Sequence, residues 1–299
     1  MHGILLIDKP ESYTSHDIVR KVRRIYSTRK VGHAGTLDPL ATGVLAVAVG
    51  DGTKILQFLF SDDKRYRTTL QLGIATDSYD AQGKVVSECA VPEIDSATVD
   101  SICNRFRGNI KQLPPMFSAL KRAGVPLYKL ARQGIEVERT PRPVTIYRLE
   151  VIALNPPFVT IEVDCSKGTY IRSLVHDLGE ALGCGAHLTS LRRLRSGCFH
   201  LDQCYQLATL EQMKEPHKAL VPLSTALSHL PAVKLNHRAC ENLAYGIPPQ
   251  ETECLIQGSL TAGERVRLLE EDHLVAVAAY QPLRQKEKRG DFELIRVFI

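Results

Sequence analysis

The sequence predicts an α+β protein built on a mixed or antiparallel sheet, with a small β-rich C-terminal part. Three observations predict it. Short apolar strand-like runs and amphipathic helical runs are intermixed without the regular strand–helix alternation of a doubly wound nucleotide fold. The 299 residues exceed one small domain and fit a large domain plus a modest one, at roughly 100–200 residues per domain. Pro216, Pro222 and Pro231 punctuate the chain before short β-like runs that continue to its C-terminal residues.

Taken in order, residues 3–7 read as a buried strand ended by Lys9 and Pro10. A helix follows: Thr14 and Ser15 suit its cap, Asp17 suits its positive end, and Ile18, Val19, Val22 and Ile25 recur at helical spacing. Residues 43–49 read as a strand buried on both faces, and residues 65–73 alternate as another. Residues 144–153 and 158–165 form two more strands across the turn signal Asn155, Pro156, Pro157. Helices are expected near 96–107, 126–133 and 170–182, the last with an apolar stripe of Ile171, Leu174, Val175, Leu178 and Leu182. Residues 113–125 are Pro-rich, then apolar, then basic, which suits an exposed functional loop better than a core element. Residues 216–231 read as a domain boundary. This gives a large domain over 1–225, with an insertion at about 110–140, and a small domain over 230–299.

With 44% apolar and 24% charged residues the composition is that of a globular protein. The net charge of +5 is compatible with a polyanionic partner without requiring one. Basic residues cluster at Arg20 to Lys30, along Lys121 to Arg148, at Arg192, Arg193 and Arg195, and from Arg284 to Arg289; any single cluster alone reads as a solvated face. The eight cysteines include no Cys-x-x-Cys pair, so a zinc ribbon or thioredoxin-like site is not expected, and no metal is. The N-terminal apolar run is too short for a signal peptide and nothing approaches the roughly 18 apolar residues of a membrane helix. A reduced, cytoplasmic protein with free thiols and no membrane contact is the expectation.

The segment GHAGTLDPLATG, residues 32–43, concentrates three glycines, His33, Asp38 and Pro39 just before a buried strand. Glycine permits tight backbone shapes, and Pro39 restricts Asp38 to extended conformations. The result is a carboxylate on a stiff loop; the plainer reading is a structural turn in which Asp38 bonds its own backbone. The segment is not a phosphate-binding loop, because the Gly-Lys-Ser/Thr ending is missing.

This segment closely resembles the catalytic motif of TruB-type pseudouridine synthases, and further matches follow in the same order. GILLIDKPESYTS (3–15) resembles the family's Lys-Pro motif. Lys64, Arg65 and Tyr66, followed by Gly73 to Asp77 and Asp80 to Gly83, resemble the strand and loop bearing the active-site tyrosine. PPMFSALK (114–121) resembles the RNA-gripping insertion of the bacterial branch. CSKGTYIR (165–172) and the run from Gly183 through Arg193 resemble the remaining catalytic blocks. The resemblance spans about 1–225, and on weaker grounds 230–299 resembles a PUA-type RNA-binding domain.

The resemblance implies a tRNA pseudouridine synthase acting on uridine 55 of the TΨC stem-loop. Such a reaction breaks N1–C1′, turns the base and joins C5 to C1′; atoms and electrons are conserved, so no cofactor is expected. Asp38 is the implied catalytic carboxylate, able to attack C1′ or to remove a sugar proton. Arg172 is implied as its partner, since arginine stays protonated and grips a carboxylate with a planar fork. Tyr66 is implied to pack on the target base, Leu191 to close the pocket, and Tyr170 and Lys9 to support it. His33 and Asp80 are implied to contact RNA near the extruded base. Lys121, Arg122, Lys129 and Arg132 would lie near phosphates, with Arg192 and Arg193 as a second basic edge. The plainer readings are a helix-surface charge for Arg172, a strand aromatic for Tyr66, core packing for Leu191, a solvated loop residue for His33 and a turn former for Asp80. A monomer without an obligatory protein partner is expected. The alternatives are a guide-RNA-dependent H/ACA-type catalytic subunit and a non-catalytic RNA-binding or RNA-folding protein.

Overall fold

The computed structural model describes residues 1–59, 63–282 and 290–298; the basic run from Arg284 to Arg289 lies outside the described residues. Among them the chain forms a mixed eleven-stranded sheet and a five-stranded one. Along the main path of the large sheet the strands run Tyr205–Gln206, Gly3–Lys9, Ala41–Val49, Ala186–Ser196, Lys64–Leu72, Phe158–Cys165, Arg142–Asn155 and Gly108–Gln112. Two pairings are parallel, Gly3–Lys9 with Tyr205–Gln206 and Ala41–Val49 with Ala186–Ser196.

The strands read as buried at 3–7 and 43–49 both lie between two cores. Leu5, Ile7, Leu45, Val47 and Val49 point into one apolar core, whereas Ile4, Leu6, Val44, Ala46 and Ala48 point into another. Alternation sends successive side chains to opposite faces, so a strand sandwiched between two cores has no polar side. The first core also takes Ile18, Val19 and Val22 of the Ser15–Ile25 helix and Leu174, Val175 and Leu178 of the Ile171–Ala181 helix. Thr14 caps the former: its side chain accepts from the Asp17 N–H, and the Asp17 carboxylate accepts from the Thr14 N–H. The remaining expected helices form at Ser96–Asn104 and Leu127–Arg132.

The structure adds one strand that the sequence reading did not include and changes one expectation. The Ala186–Ser196 strand lies at the middle of the large sheet although its sequence is polar. Ala186, Leu188 and Leu191 face the first core, and the arginines reach carbonyl and carboxylate partners. Residues 113–125 are not wholly an exposed loop: Leu113 is exposed, but Pro114, Pro115, Met116 and Ser118 are buried, and exposure resumes beyond Ser118. Residues 216–231, read as a domain boundary, hold packed structure of their own. Leu220–Val221 pairs with Ile4 and Leu5, and Ala226 and Leu227 share the second core with Leu269, Leu274 and Val277 of the small sheet. The small sheet, in order Cys254–Ile256, Ala232–Leu235, Arg265–Glu270, His273–Tyr280 and Phe292–Val297, is therefore packed onto the back of the large one. Among the described residues no helix is long and apolar enough to cross a membrane.

Candidate active site

Asp38 sits on the turn between the Val31–Ala34 and Ala41–Val49 strands. The turn is clipped on every side. Ser15 Oγ accepts from the Leu37 N–H at 2.8 Å, and the Ser12 N–H donates to Pro39 O at 2.9 Å. Lys9, with no exposed surface, donates through Nζ to Tyr13 O at 2.6 Å, Pro10 O at 2.9 Å and Pro39 O at 3.4 Å. Burial lowers the Lys9 ammonium pKa to about 8, and the Asp38 charge opposes that shift. Gly43 ends the turn at φ +99°, where a Cβ would lie 2.2 Å from Arg193 O; no other residue fits.

Arg172 approaches Asp38 from the first turn of the Ile171–Ala181 helix. That end is fixed by Gln112, whose Oε1 accepts from the Tyr170 N–H at 2.8 Å and whose Nε2 donates to Tyr170 O at 3.0 Å. The guanidinium meets Asp38 Oδ2 at 3.0 Å and Asp80 Oδ2 at 3.2 Å, and donates to Ser78 O at 3.2 Å and Phe117 O at 2.7 Å. The two carboxylates differ in access. The Asp38 side chain is 41% exposed, while Arg172 and Asp80 are 8% and 7% exposed. Asp80 Oδ1 also accepts from Ser78 Oγ at 2.6 Å and the Gln82 N–H at 3.0 Å. One buried cation thus holds two carboxylates, of which only Asp38 faces outward.

Tyr66 faces the same side of the sheet as Leu191. In register, Leu191 lies opposite Ala41 and Thr68, and Arg193 opposite Gly43 and Tyr66. Burial raises the Tyr66 phenol pKa, opposed by the neighbouring Arg193, and the Asp38 charge reaches this ring as well as Tyr170 and Lys9. Arg172 thus pairs with Asp38 directly, Lys9, Tyr66 and Tyr170 lie within reach of its charge, and Leu191 lies beside Ala41 at the end of its turn.

The chain was compared with known proteins. The description "TruB family pseudouridylate synthase (N terminal domain)" matches residues 23–171, and "tRNA pseudouridylate synthase B C-terminal domain" matches residues 172–228. The tRNA pseudouridine synthase B of Syntrophotalea carbinolica is 48% identical over all of this chain and 98% of its own length. That of Geobacter sulfurreducens is 46% identical over the full length of both. This chain belongs to the TruB family. Among solved structures, it is similar to a chain of a Cbf5–Nop10–Gar1 complex, with a TM-score of 0.77 and 28% identity, covering 99% of this chain and 85% of the other.

Within this TruB-family chain, some residues lie elsewhere than the sequence suggests. Arg193 does not form an exposed basic edge: it is 1% exposed, with Nε donating to Val44 O at 2.7 Å and an Nη to Gly35 O at 3.2 Å. Its parity with Leu191 on the strand was the available signal. Arg192, on the opposite parity, is half-exposed and pairs with Asp8 at 2.7 Å. His33 is not a loop residue but lies on the Val31–Ala34 strand opposite Val47, and burial lowers its pKa. Asp80 turns its carboxylate onto Arg172 instead of solvent.

Lys121, Arg122, Lys129 and Arg132 are exposed on the insertion. Lys121 and Arg122 line a cavity of about 350 Å³ with Arg139 and Arg142, two further cations of the same basic run. The carbonyls of Ser78 and Phe117, which complete the shell of Arg172, carry no side-chain signature and are invisible in sequence.

Proposed function

We propose that this chain is a stand-alone tRNA pseudouridine synthase that isomerises uridine 55 in the TΨC loop. The observation that carries the reading is the outward-facing Asp38 carboxylate held by a buried guanidinium beside Tyr66. The target nucleotide leaves its stack and enters against Tyr66 and Leu191, which offer an aromatic face and apolar cover. Asp38, paired with Arg172, serves as nucleophile at C1′ or as base toward a sugar proton. The N1–C1′ bond breaks, the base turns, C5 bonds to C1′, and the C5 proton leaves while N1 gains one. Every atom of the uridine is retained, so the reaction needs no redox partner.

The exposed cations of the insertion, Lys121, Arg122, Lys129 and Arg132, grip RNA phosphates, with Arg192 near the opposite edge and His33 close to the extruded base. Residues 230–299 act as a PUA-like RNA-binding domain. The enzyme works in the cytoplasm as a monomer without an obligatory protein partner. The likeness to a Cbf5 chain supports one other reading, a guide-dependent subunit.

The test is pseudouridine formation in an unmodified tRNA transcript with no guide RNA added, wild type against Asp38→Asn. Multiple turnover by wild type alone is expected. Tight RNA binding without conversion by wild type would favour the guided subunit, or a protein that binds or folds RNA without chemistry. Equal conversion by both would remove Asp38 from the reaction.

A further inference from the structure

The Ile171–Ala181 helix presents Arg172 and His176 four residues apart, hence on one face. Both reach the same short loop. Arg172 binds Ser78 O and the Asp80 carboxylate. His176 stacks on Tyr79, the residue between them, with ring centroids 4.0 Å apart and planes 9° from parallel. Two side chains of one helix therefore grip three consecutive loop residues.

The loop is not relaxed in this grip. Tyr79 has φ +64°, a left-handed conformation that a large aromatic residue rarely adopts. The strain is held by surrounding bonds: the Tyr79 N–H to Thr76 O at 3.2 Å, the Leu188 N–H to Tyr79 O at 3.0 Å, and Thr76 Oγ1 to Asp80 O at 2.7 Å. Gly83 closes the loop, where a Cβ would lie 2.3 Å from Ser78 Oγ. His176 Nδ1 is buried without a hydrogen-bond partner, so the imidazole's directed contact is the stack itself. A strained backbone and an unpartnered buried nitrogen are both unfavourable, and the aromatic contact is what they accompany.

We propose that the Tyr79–His176 stack is a positioning clasp for the isomerisation, resting on the function proposed above. It sets the Ser78–Asp80 turn against the helix and so keeps Asp80 on Arg172. With Asp80 in place, the guanidinium is shared between two carboxylates and Asp38 stands at one fixed point. Without the clasp, Asp80 swings away and Arg172 shifts onto Asp38 alone. Neither ring touches the reacting atoms.

The experiment uses the full chain and an unmodified tRNA transcript, measuring the single-turnover rate at saturating enzyme, the Kd for RNA and the Tm. Tyr79→Gly removes the ring and relieves the backbone strain, whereas Tyr79→Ala removes the ring and keeps the strain, so the pair separates stacking from strain. Each is expected to slow the chemical step by about 10–100-fold, the scale of a misplaced catalytic group, with Kd within about 2-fold of wild type. His176→Ala is expected to match Tyr79→Gly, the double variant to be no slower than either, and Tyr79→Phe and His176→Phe to keep the wild-type rate. Wild-type rates in Tyr79→Gly or His176→Ala would overturn the proposal, as would a loss seen in Kd alone, which would make the ring an RNA contact. If wild type forms no pseudouridine, the functional reading fails, and the clasp is judged by unfolding: Tyr79→Gly and Asp80→Asn must then be non-additive, and additivity sinks it.

Discussion

The protein uses its basic side chains in two opposite ways. Lys9, Arg172 and Arg193 are buried, and each donates to two or more acceptors within the chain. Lys121, Arg122, Lys129 and Arg132 are exposed on the insertion, where Arg122 donates to Glu138 O and Arg132 lies over the Tyr128 ring. A buried cation must be fully partnered, because an unpaired charge away from water is costly, and so it fixes geometry. An exposed cation is free to meet a polyanion, and its contribution is screened by salt. The first group shapes the Asp38 site; the second leaves a cationic surface on the insertion.

The sharpest way to break this contrast is Arg172→Lys. A single ammonium cannot reach two carboxylates and two carbonyls with the geometry of a planar fork. Single-turnover conversion is expected to fall by about 100-fold or more while RNA affinity holds. An unchanged rate would mean that charge alone suffices. Next in size, Arg193→Met leaves Val44 O and Gly35 O without their donor and should destabilise by about 2–3 kcal/mol, read as a lower Tm. RNA affinity of the folded fraction should not change; a loss of affinity with normal Tm would return Arg193 to the RNA-binding group.

Replacing Lys121, Arg122, Lys129 and Arg132 together by Gln should do the reverse. Tm should hold, affinity should drop about 10-fold or more at low salt, and the salt dependence should flatten by up to roughly 0.7–0.9 per lost phosphate contact. A steep Tm loss would show that the insertion cations are structural.

The smallest effect is a pH dependence from Lys9. Its folded pKa, about 8, lies below the unfolded 10.5, so burial penalises the charged form. That penalty is complete below about pH 8 and is relieved as pH rises toward 10.5, so the Lys9 contribution makes stability increase with pH through that window. Over the same window the neutral amine has one donor fewer for Pro10 O, Tyr13 O and Pro39 O, and the turn bearing Asp38 loosens. A fall of about 2–5-fold in single-turnover rate above that pKa is expected, about half a kcal/mol or more in barrier, and absent in Lys9→Met. A wild-type profile flat through the window would dissociate Lys9 from the turn.

The buried strands and the amphipathic helices were legible because their pattern follows from local geometry: unbroken apolar runs over 3–7 and 43–49, and the stripe from Ile171 to Leu182. The Ala186–Ser196 strand was not, because three arginines and three hydroxyl residues hide its alternation, and the arginines and Thr189 find their partners on other strands. The Asp38 turn was legible as a stiff carboxylate-bearing loop, since Gly43 and Pro39 act within a few residues. Which of Arg192 and Arg193 faces outward was not legible, because adjacent strand residues differ only in which face their neighbours bury.

By itself the sequence determined the periodic elements, the rigid turn carrying Asp38 and the likeness to one enzyme family, because these depend on neighbours in the chain. Only the tertiary structure decided that Arg172 serves Asp38 and Asp80 at once, that the carbonyls of Ser78 and Phe117 complete its shell, and that Tyr79 rests on His176. Those contacts join residues separated by 55 to 134 positions. Backbone carbonyls and ring faces have no letter of their own, and their partners are set by how the sheet brings distant strands together.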